Sequence, residues 1–135
     1  RAYLEKSSLD FSFSGLKTAV LYAVQDIGEI NSQTQADIAA SFQHAATEVL
    51  IKKITKALED TGRESIVLAG GVAANKLLRN KISLLKSKLN VDVLYPPLSH
   101  CTDNAAMIAY LGSMKVNEAT FSLASHAKPR WPLGS

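Results

Sequence analysis

Residues 66–80 read IVLAGGVAANKLLRN, a short apolar run that ends at two adjacent glycines before a segment with helical spacing begins. The run predicts a buried strand over residues 65–69, and the spacing of leucine and isoleucine predicts a helix over residues 75–89. A second apolar run at residues 91–95 predicts another strand, which two prolines stop. Strand, helix and strand within about 30 residues predict an α/β fold built on a right-handed βαβ unit with parallel strands. The predicted inward side chains of the helix are Leu78, Ile82, Leu85 and Leu89.

Two segments before this unit are also predicted to be helices. Residues 9–13 alternate between apolar and polar side chains, the period of a half-buried strand, and Ser14 is the predicted N-cap of a helix that ends near residues 26–28. Residues 36–59 carry apolar side chains at helical spacing, so we expect a second flanking helix. On this second helix the three lysines Lys52, Lys53 and Lys56 are expected on the side away from the apolar stripe.

After the βαβ unit the chain is predicted to form one more helix. Thr102 or Asp103 is its expected N-cap, and it should run to about Met114. From about residue 120 we expect an irregular tail, because the final stretch contains two prolines.

Composition limits the class of protein. A chain of 135 residues that is 47% apolar is expected to fold as one compact domain over residues 1–135. The single cysteine excludes an internal disulfide and is typical of a cytoplasmic protein. No apolar run approaches the roughly 20 residues that a membrane span requires, and a net charge of +3 permits contact with nucleic acid without requiring it. Because the chain starts at Arg1 rather than methionine, we expect it to be a piece of a longer protein.

The glycine pair at the end of the first strand has two interpretations. Ligands of parallel α/β sheets bind beyond the carboxyl ends of the strands, where Gly70 and Gly71 would let a phosphate or ribose approach the main chain. Equally, the pair makes a tight turn from strand to helix. The stretch GGVAAN matches neither the dinucleotide fingerprint nor the P-loop, so spacing alone leaves both interpretations open.

Two further features carry possible chemistry. Asp103 is a candidate metal ligand beside His100 and Cys101, although capping of the last helix is favoured on spacing alone. Five basic residues without an intervening acid are either a phosphate-backbone contact or a solvated helix face, and the solvated face is the commoner case. They are Lys76, Arg79, Lys81, Lys86 and Lys88.

Four motifs together resemble the TsaD/YgjD family of tRNA N6-adenosine threonylcarbamoyltransferases, formerly called O-sialoglycoprotein endopeptidases or glycoproteases. They are FSFSGLKTAV at 11–20, DIAASFQ at 37–43, LAGGVAANKLLR at 68–79 and YPPLSHCTDNAAMIA at 95–109, and PRWPL at 129–133 is similar to the family's bacterial C-terminal end. The resemblance implies part of the C-terminal lobe of an actin-like ATPase (ASKHA) fold. This chain would then be the C-terminal fragment of a longer, two-lobed protein.

The resemblance also implies a reaction, its ligands and its partners. The family transfers a threonylcarbamoyl group from threonylcarbamoyl-AMP to N6 of adenosine 37 in tRNAs that read ANN codons, with bacterial TsaB and TsaE subunits as partners. By resemblance, Gly70, Gly71 and Asn75 contact the adenylate substrate or ATP, and Asp103 binds one divalent metal ion, iron or zinc. The family's other metal ligands are two histidines of an HxxxH motif, which does not occur in this sequence. We therefore expect this chain to be inactive alone, and the basic stretch becomes a candidate tRNA contact.

Three alternatives stay open. An actin-like small-molecule kinase would also place a glycine pair against adenosine, and it would consume ATP with a sugar or an acid. A metallopeptidase is suggested by the older family name, but the sequence offers one candidate metal ligand and no recognisable general base. A non-catalytic module that binds related subunits would be governed by its exposed apolar surface.

Overall fold

The computed structural model describes residues 8–119, which divide into two compact units. Of these, residues 8–103 belong to the first unit and residues 104–119 to the second. The predicted irregular tail from about residue 120 and the PRWPL motif lie outside the described residues.

The first unit contains three helices and a two-stranded sheet. In chain order these are α1 (Phe13–Ile27), α2 (Ser32–Thr61), β1 (Ser65–Val67), α3 (Lys76–Leu89) and β2 (Asp92–Leu94). Short 3-10 turns occupy Gly71–Ala74 and Leu98–His100. The second unit contains α4 (Ala105–Met114) and a 3-10 turn at Val116–Glu118.

The predicted βαβ arrangement is confirmed. Strands β1 and β2 pair in parallel with Ile66 opposite Val93, and α3 connects them. The ladder continues one step past each strand bound, because Leu68 N–H donates to the Leu94 carbonyl at 2.9 Å. The carboxyl ends of both strands therefore lie side by side, and the loops that leave them begin as neighbours.

The core of the first unit lies between α2 and α3. Leu78, Ile82 and Leu85, spaced three and four residues apart on α3, are buried, as the sequence predicts, and Val49 of α2 is buried with them. Leu89, the fourth side chain predicted to face inward, is half-buried. Ile82 is 0% exposed. This packing holds the start of α3 against the middle of α2, and the candidate site lies at that junction.

Two helix starts differ from the prediction. Helix α1 begins at Phe13, and its N-cap is Ser12, whose hydroxyl accepts the Gly15 N–H at 3.0 Å, so the predicted cap at Ser14 is wrong. The predicted strand over residues 9–13 is also wrong, because the sheet among residues 8–119 contains no strand from this segment. Helix α2 begins at Ser32 rather than residue 36, because the Asn31 side chain caps it by accepting the Thr34 N–H.

The end of α2 agrees with the prediction. Gly62 follows the last helical residue with φ +62°, the left-handed conformation typical of a glycine that ends a helix.

Strand β1 was predicted to be buried, and this is wrong. Val67 is 71% exposed and its partner Leu94 is 61% exposed, whereas Ile66 and Val93, which point to the opposite face, are half-buried. Among the described residues the sheet has two strands, and one of its faces has no cover.

Lys53 is the other correction on burial. It is 5% exposed rather than solvated, and its Nζ donates to the Ser8 carbonyl at 2.6 Å. Lys53 lies four residues after the buried Val49 and so shares its face of α2. This contact ties the segment before α1 to α2.

The predicted N-cap of the last helix is also wrong. Helix α4 is capped by Asn104, whose Oδ1 accepts the Met107 N–H at 3.0 Å, and neither Thr102 nor Asp103 takes this role. None of the helices in residues 8–119 is long and apolar enough to cross a membrane.

Candidate adenylate site

The loop that leaves β1 contains a backbone conformation that requires glycine at residue 70. Gly70 has φ +80° and ψ 177°, a region that residues with a Cβ rarely adopt. Gly71 begins a single 3-10 turn, and a Cβ atom added to it would meet nothing within 4 Å beyond its chain neighbours. Gly70 is thus required by the turn itself, whereas Gly71 leaves open space over the main chain.

Asn75 ends this turn and starts α3. Its Oδ1 accepts the Leu78 main-chain N–H at 3.0 Å, the N-cap bond of α3, and the Gln43 side-chain amide lies 3.4 Å from the same oxygen. Because a main-chain donor occupies the oxygen, the orientation of the amide is determined, and Nδ2 points its two hydrogens elsewhere. Among the described residues Nδ2 has no hydrogen-bond partner, so Asn75 presents a donor at the start of a helix.

A groove of about 680 Å³ runs past this amide, a size that suits a nucleotide-sized ligand. Gly71, Val72, Ala74 and Asn75 form one wall, and Gly70 is not part of the lining. The remaining lining residues come from the start of α1 and one face of α2: Phe13, Phe42, Gln43, Ala46, Thr47 and Leu50. Most of the lining is apolar, and its polar side chains are Gln43, Thr47 and Asn75.

Sequence reasoning missed the contribution of α2. Phe42 and Gln43 belong to the DIAASFQ motif, and Phe13 belongs to FSFSGLKTAV, so three of the four motifs meet in this groove. Thr47 adds a fixed polar group, since its buried hydroxyl accepts a hydrogen bond from Lys81 Nζ at 2.8 Å and donates to the α2 backbone. The order of the motifs gives no sign that these side chains meet.

The fourth motif is joined to this loop by Arg79. Its Nε donates to the Ala73 carbonyl at 2.6 Å, and its Nη2 donates to the Pro96 carbonyl at 2.9 Å and to Cys101 Sγ at 3.1 Å. The guanidinium carbon also lies 4.5 Å from the centre of the Tyr95 ring. Arg79 therefore contacts the loops after both strands.

These contacts divide the basic stretch. Arg79 and Lys81 point their charged groups at protein partners, whereas Lys76, Lys86 and Lys88 are exposed. Lys86 lies 3.8 Å from Asp92, a weak surface ion pair. At most three of the five predicted cations are thus free to approach a phosphate backbone.

Asp103 is exposed, and its carboxylate has no hydrogen bond or ion pair within residues 8–119. It is outside the groove lining. Cys101 is buried, and its sulfur accepts a hydrogen bond from Arg79. It is therefore no longer a candidate metal ligand. The described part of the chain holds no group of three or more His, Cys, Asp or Glu side chains that would bind a metal ion. These residues alone do not fit a divalent metal, and Asp103 can supply one ligand.

A slightly larger concavity of about 740 Å³ lies at the other end of the strands, lined by Arg63, Glu64, Lys86 and Asp92 among others. We favour the smaller groove as the ligand site, because ligands of parallel sheets bind at the carboxyl ends of the strands. The larger concavity lies at their amino ends, between surface charges of both signs.

The sequence of the chain is similar to those of known proteins. Residues 1–110 match the model of the TsaD family, described as tRNA N6-adenosine threonylcarbamoyltransferase. A protein of that name from Chromobacterium violaceum is 46% identical, and the match covers 100% of this chain and 41% of the relative. Another, from Thermosipho africanus, is 56% identical, and the match covers 83% of this chain and 34% of the relative. One from Variovorax paradoxus is 46% identical, and the match covers 100% of this chain and 40% of the relative. The chain therefore spans about two fifths or less of the length of the relatives it matches.

Proposed function

This chain belongs to the TsaD family of tRNA N6-adenosine threonylcarbamoyltransferases, and on that premise we propose that its groove is one side of the site for threonylcarbamoyl-AMP. The proposed reaction is transfer of the threonylcarbamoyl group to N6 of adenosine 37 in tRNAs that read ANN codons. A protein of the relatives' full length would carry out this reaction in the cytoplasm. This chain would contribute part of the C-terminal lobe of an actin-like fold.

The single observation that carries the proposal is the amide of Asn75. Its oxygen is occupied by the helix cap, its Nδ2 has no hydrogen-bond partner among the described residues, and Asn75 lines the groove beside Gly71. A phosphate placed there would accept from Nδ2 and from main-chain N–H groups at the start of α3, where the helix dipole also favours negative charge. An adenylate carries that phosphate next to a flat apolar base.

The apolar part of the groove suits the base. Phe13 and Phe42 are partly exposed and line the groove beside Leu50, and Gln43 is a polar group at the same end as Asn75. Aromatic faces and aliphatic side chains bind an adenine ring by stacking and by burial of apolar area. Fixing base and phosphate together would orient the mixed anhydride, so that AMP leaves in a defined direction when N6 attacks.

The proposal also includes a metal ion, the tRNA and two partner subunits, which are not part of this chain. Asp103 is proposed as one ligand of a divalent metal ion, iron or zinc, whose remaining ligands lie in the part of the relatives that this chain does not cover. Exposed Lys76, Lys86 and Lys88 are the proposed contacts to the tRNA backbone. TsaB and TsaE are the proposed partner subunits.

The proposal is tested in a hybrid protein. Residues 1–135 replace the part that they match in the Chromobacterium violaceum relative, and a second hybrid uses the Variovorax paradoxus relative in case the first does not fold. Each hybrid is supplied with threonine, bicarbonate, ATP, tRNA, TsaB, TsaE and the enzyme that makes the adenylate. Digested tRNA is then analysed for threonylcarbamoyladenosine by mass spectrometry.

We expect modified adenosine from the wild-type hybrid and none from the 135-residue chain alone. A folded hybrid that makes none, beside an active unaltered relative, would refute the proposed function. ATP consumption by the hybrid with a sugar or a carboxylic acid, in the absence of tRNA, would instead favour a small-molecule kinase.

A further inference from the structure

Arg79 of α3 donates hydrogen bonds to the loops that leave both strands. We infer that Arg79 is a positioning residue, which holds the loop at residues 70–75 and the segment at residues 96–103 in a single arrangement. The inference rests on the proposed function, in which the first loop contacts the adenylate and the second segment carries the proposed metal ligand Asp103. Arg79 is thereby added to the proposed site as a residue that contacts neither the adenylate nor the metal ion.

The contacts use the shape of the guanidinium group. Nε donates to the Ala73 carbonyl, and the two hydrogens of Nη2 are directed to the Pro96 carbonyl and to Cys101 Sγ, all within 3.1 Å. The guanidinium carbon lies over the Tyr95 ring, 4.5 Å from its centre. A planar fork of donors meets three acceptors in two directions at once, whereas a lysine ammonium is a point charge that lacks this fixed geometry.

Main-chain hydrogen bonds do not align the two segments with each other. Within residues 8–119 the main-chain hydrogen bonds between β1 and β2 end at Leu68, and none joins residues 70–75 to residues 96–103. Ala73 belongs to the turn that ends at Asn75, and Cys101 precedes Asp103 by two residues. Arg79 therefore joins the turn that ends at Asn75 to the segment that leads to Asp103.

This role predicts a defined kinetic signature. The groove is built mainly by α1 and α2, and its turn before α3 is also held by the Asn75 cap bond, so loss of Arg79 should change the KM for the adenylate less than it changes kcat. Misalignment of the second segment should instead lower kcat. Arg79→Lys keeps the charge and loses the fork, so it should fail almost as completely as Arg79→Met. A residue that simply attracted tRNA would be rescued by lysine and would show its effect in the KM for tRNA.

Cys101 provides a readout that does not depend on activity. It is the only cysteine of the chain, it is 2% exposed, and Arg79 contacts its sulfur. The rate of its reaction with a disulfide reagent in native buffer reports opening of residues 96–101. A hydrogen bond to a charged group contributes enough free energy that its loss should raise this rate by about tenfold or more.

The experiment compares four variants of the 135-residue chain: Arg79→Lys, Arg79→Met, Ile82→Val and Ser87→Ala. Ile82→Val lowers global stability without touching the Arg79 contacts, and Ser87→Ala is an exposed change on the same helix. We expect faster thiol reaction in both Arg79 variants than their loss of global stability, measured by urea unfolding, accounts for. The same rise in Ile82→Val at matched stability would overturn the inference, since it would show that Arg79 acts through global unfolding.

The same changes in the full-length hybrid complete the test. We expect kcat to fall about tenfold or more for Arg79→Lys with a smaller change in the KM for the adenylate, while Ser87→Ala matches the wild type. Full kcat in Arg79→Lys, in an active hybrid, would refute the positioning role alone. An inactive wild-type hybrid that is folded would refute the proposed function, and the assigned role with it, even where the thiol reaction shows that Arg79 joins the two loops.

Discussion

Replacing Asn75 with aspartate separates the two tasks that the structure gives to this side chain. Asp and Asn are about equally good N-caps, so Asn75→Asp keeps an oxygen for the Leu78 N–H and should change the free energy of unfolding by less than about 0.5 kcal/mol. Asn75→Ala removes the cap and should cost about 1 kcal/mol. Stability alone thus ranks aspartate close to wild type and alanine below it.

Binding of the adenylate should rank the two variants differently. Aspartate removes the Nδ2 donor and places a negative charge where the phosphate is proposed to lie. A hydrogen bond between a neutral donor and a charged group contributes roughly 1.5–3 kcal/mol, so its loss lowers affinity by about tenfold to a hundredfold, and repulsion adds to this. Alanine loses the same donor without the repulsion, so Asn75→Asp should bind more weakly than Asn75→Ala although it is the more stable protein.

The assay pairs urea unfolding with calorimetric titration of a non-hydrolysable adenylate analogue into the full-length hybrid. An Asn75→Asp hybrid that unfolds like the wild type and binds the analogue with undiminished affinity would refute the assignment of the groove. Equal affinity in Asn75→Asp and Asn75→Ala, both reduced, would show that the donor matters but that no phosphate lies beside it.

Three more outcomes follow from the same geometry. Gly70→Ala should lower the free energy of unfolding by about 1–3 kcal/mol, because residue 70 has a φ of +80°. Gly71→Ala, with open space around it, should unfold like the wild type and yet weaken adenylate binding. Equal losses of stability for the two variants in urea unfolding would contradict this distinction. Ile82→Ala should cost about 2–5 kcal/mol in a denaturant titration, since the side chain is fully buried between helices, and a loss below 1 kcal/mol, within about the range of a surface change, would show that this core is misplaced. Dialysis against iron(II) or zinc should leave no stoichiometric metal on the 135-residue chain, whereas the full-length hybrid should bind one ion and lose it in Asp103→Ala; tight metal binding by the short chain would mean that its own residues complete a site.

Local rules were sufficient for most of the secondary structure. The βαβ order, the inward face of α3 and the glycine that ends α2 follow from periodicity and from the φ angle that glycine allows. Errors occurred where two local rules compete. Ser12 and Ser14 are both acceptable caps, and residues 9–13 alternate like a strand although a strand needs a partner that no local pattern can supply.

The candidate site divides in the same way. Gly71 and Asn75 were found from their place after a strand and before a helix, and the structure brings both into the groove. Asp103 was found from a similar place, but the structure does not put it in that lining, and its assignment as a metal ligand stays a prediction. Gln43 was not found, because its contact with Asn75 joins residues 32 positions apart.

By itself, the amino-acid sequence determined the family, the presence of the four helices and of the βαβ unit, and which loops follow its strands, because each of these depends on the order and spacing of neighbouring residues. Only the tertiary structure decided that Arg79 faces inward while Lys76 is exposed, and that Phe42 and Gln43 line the groove with Asn75. The physical reason is that a basic side chain in a helix has the same local pattern whether it meets solvent or three acceptors. The difference arises from how α2, α3 and the two strands pack, which fixes where carbonyl oxygens and open space lie.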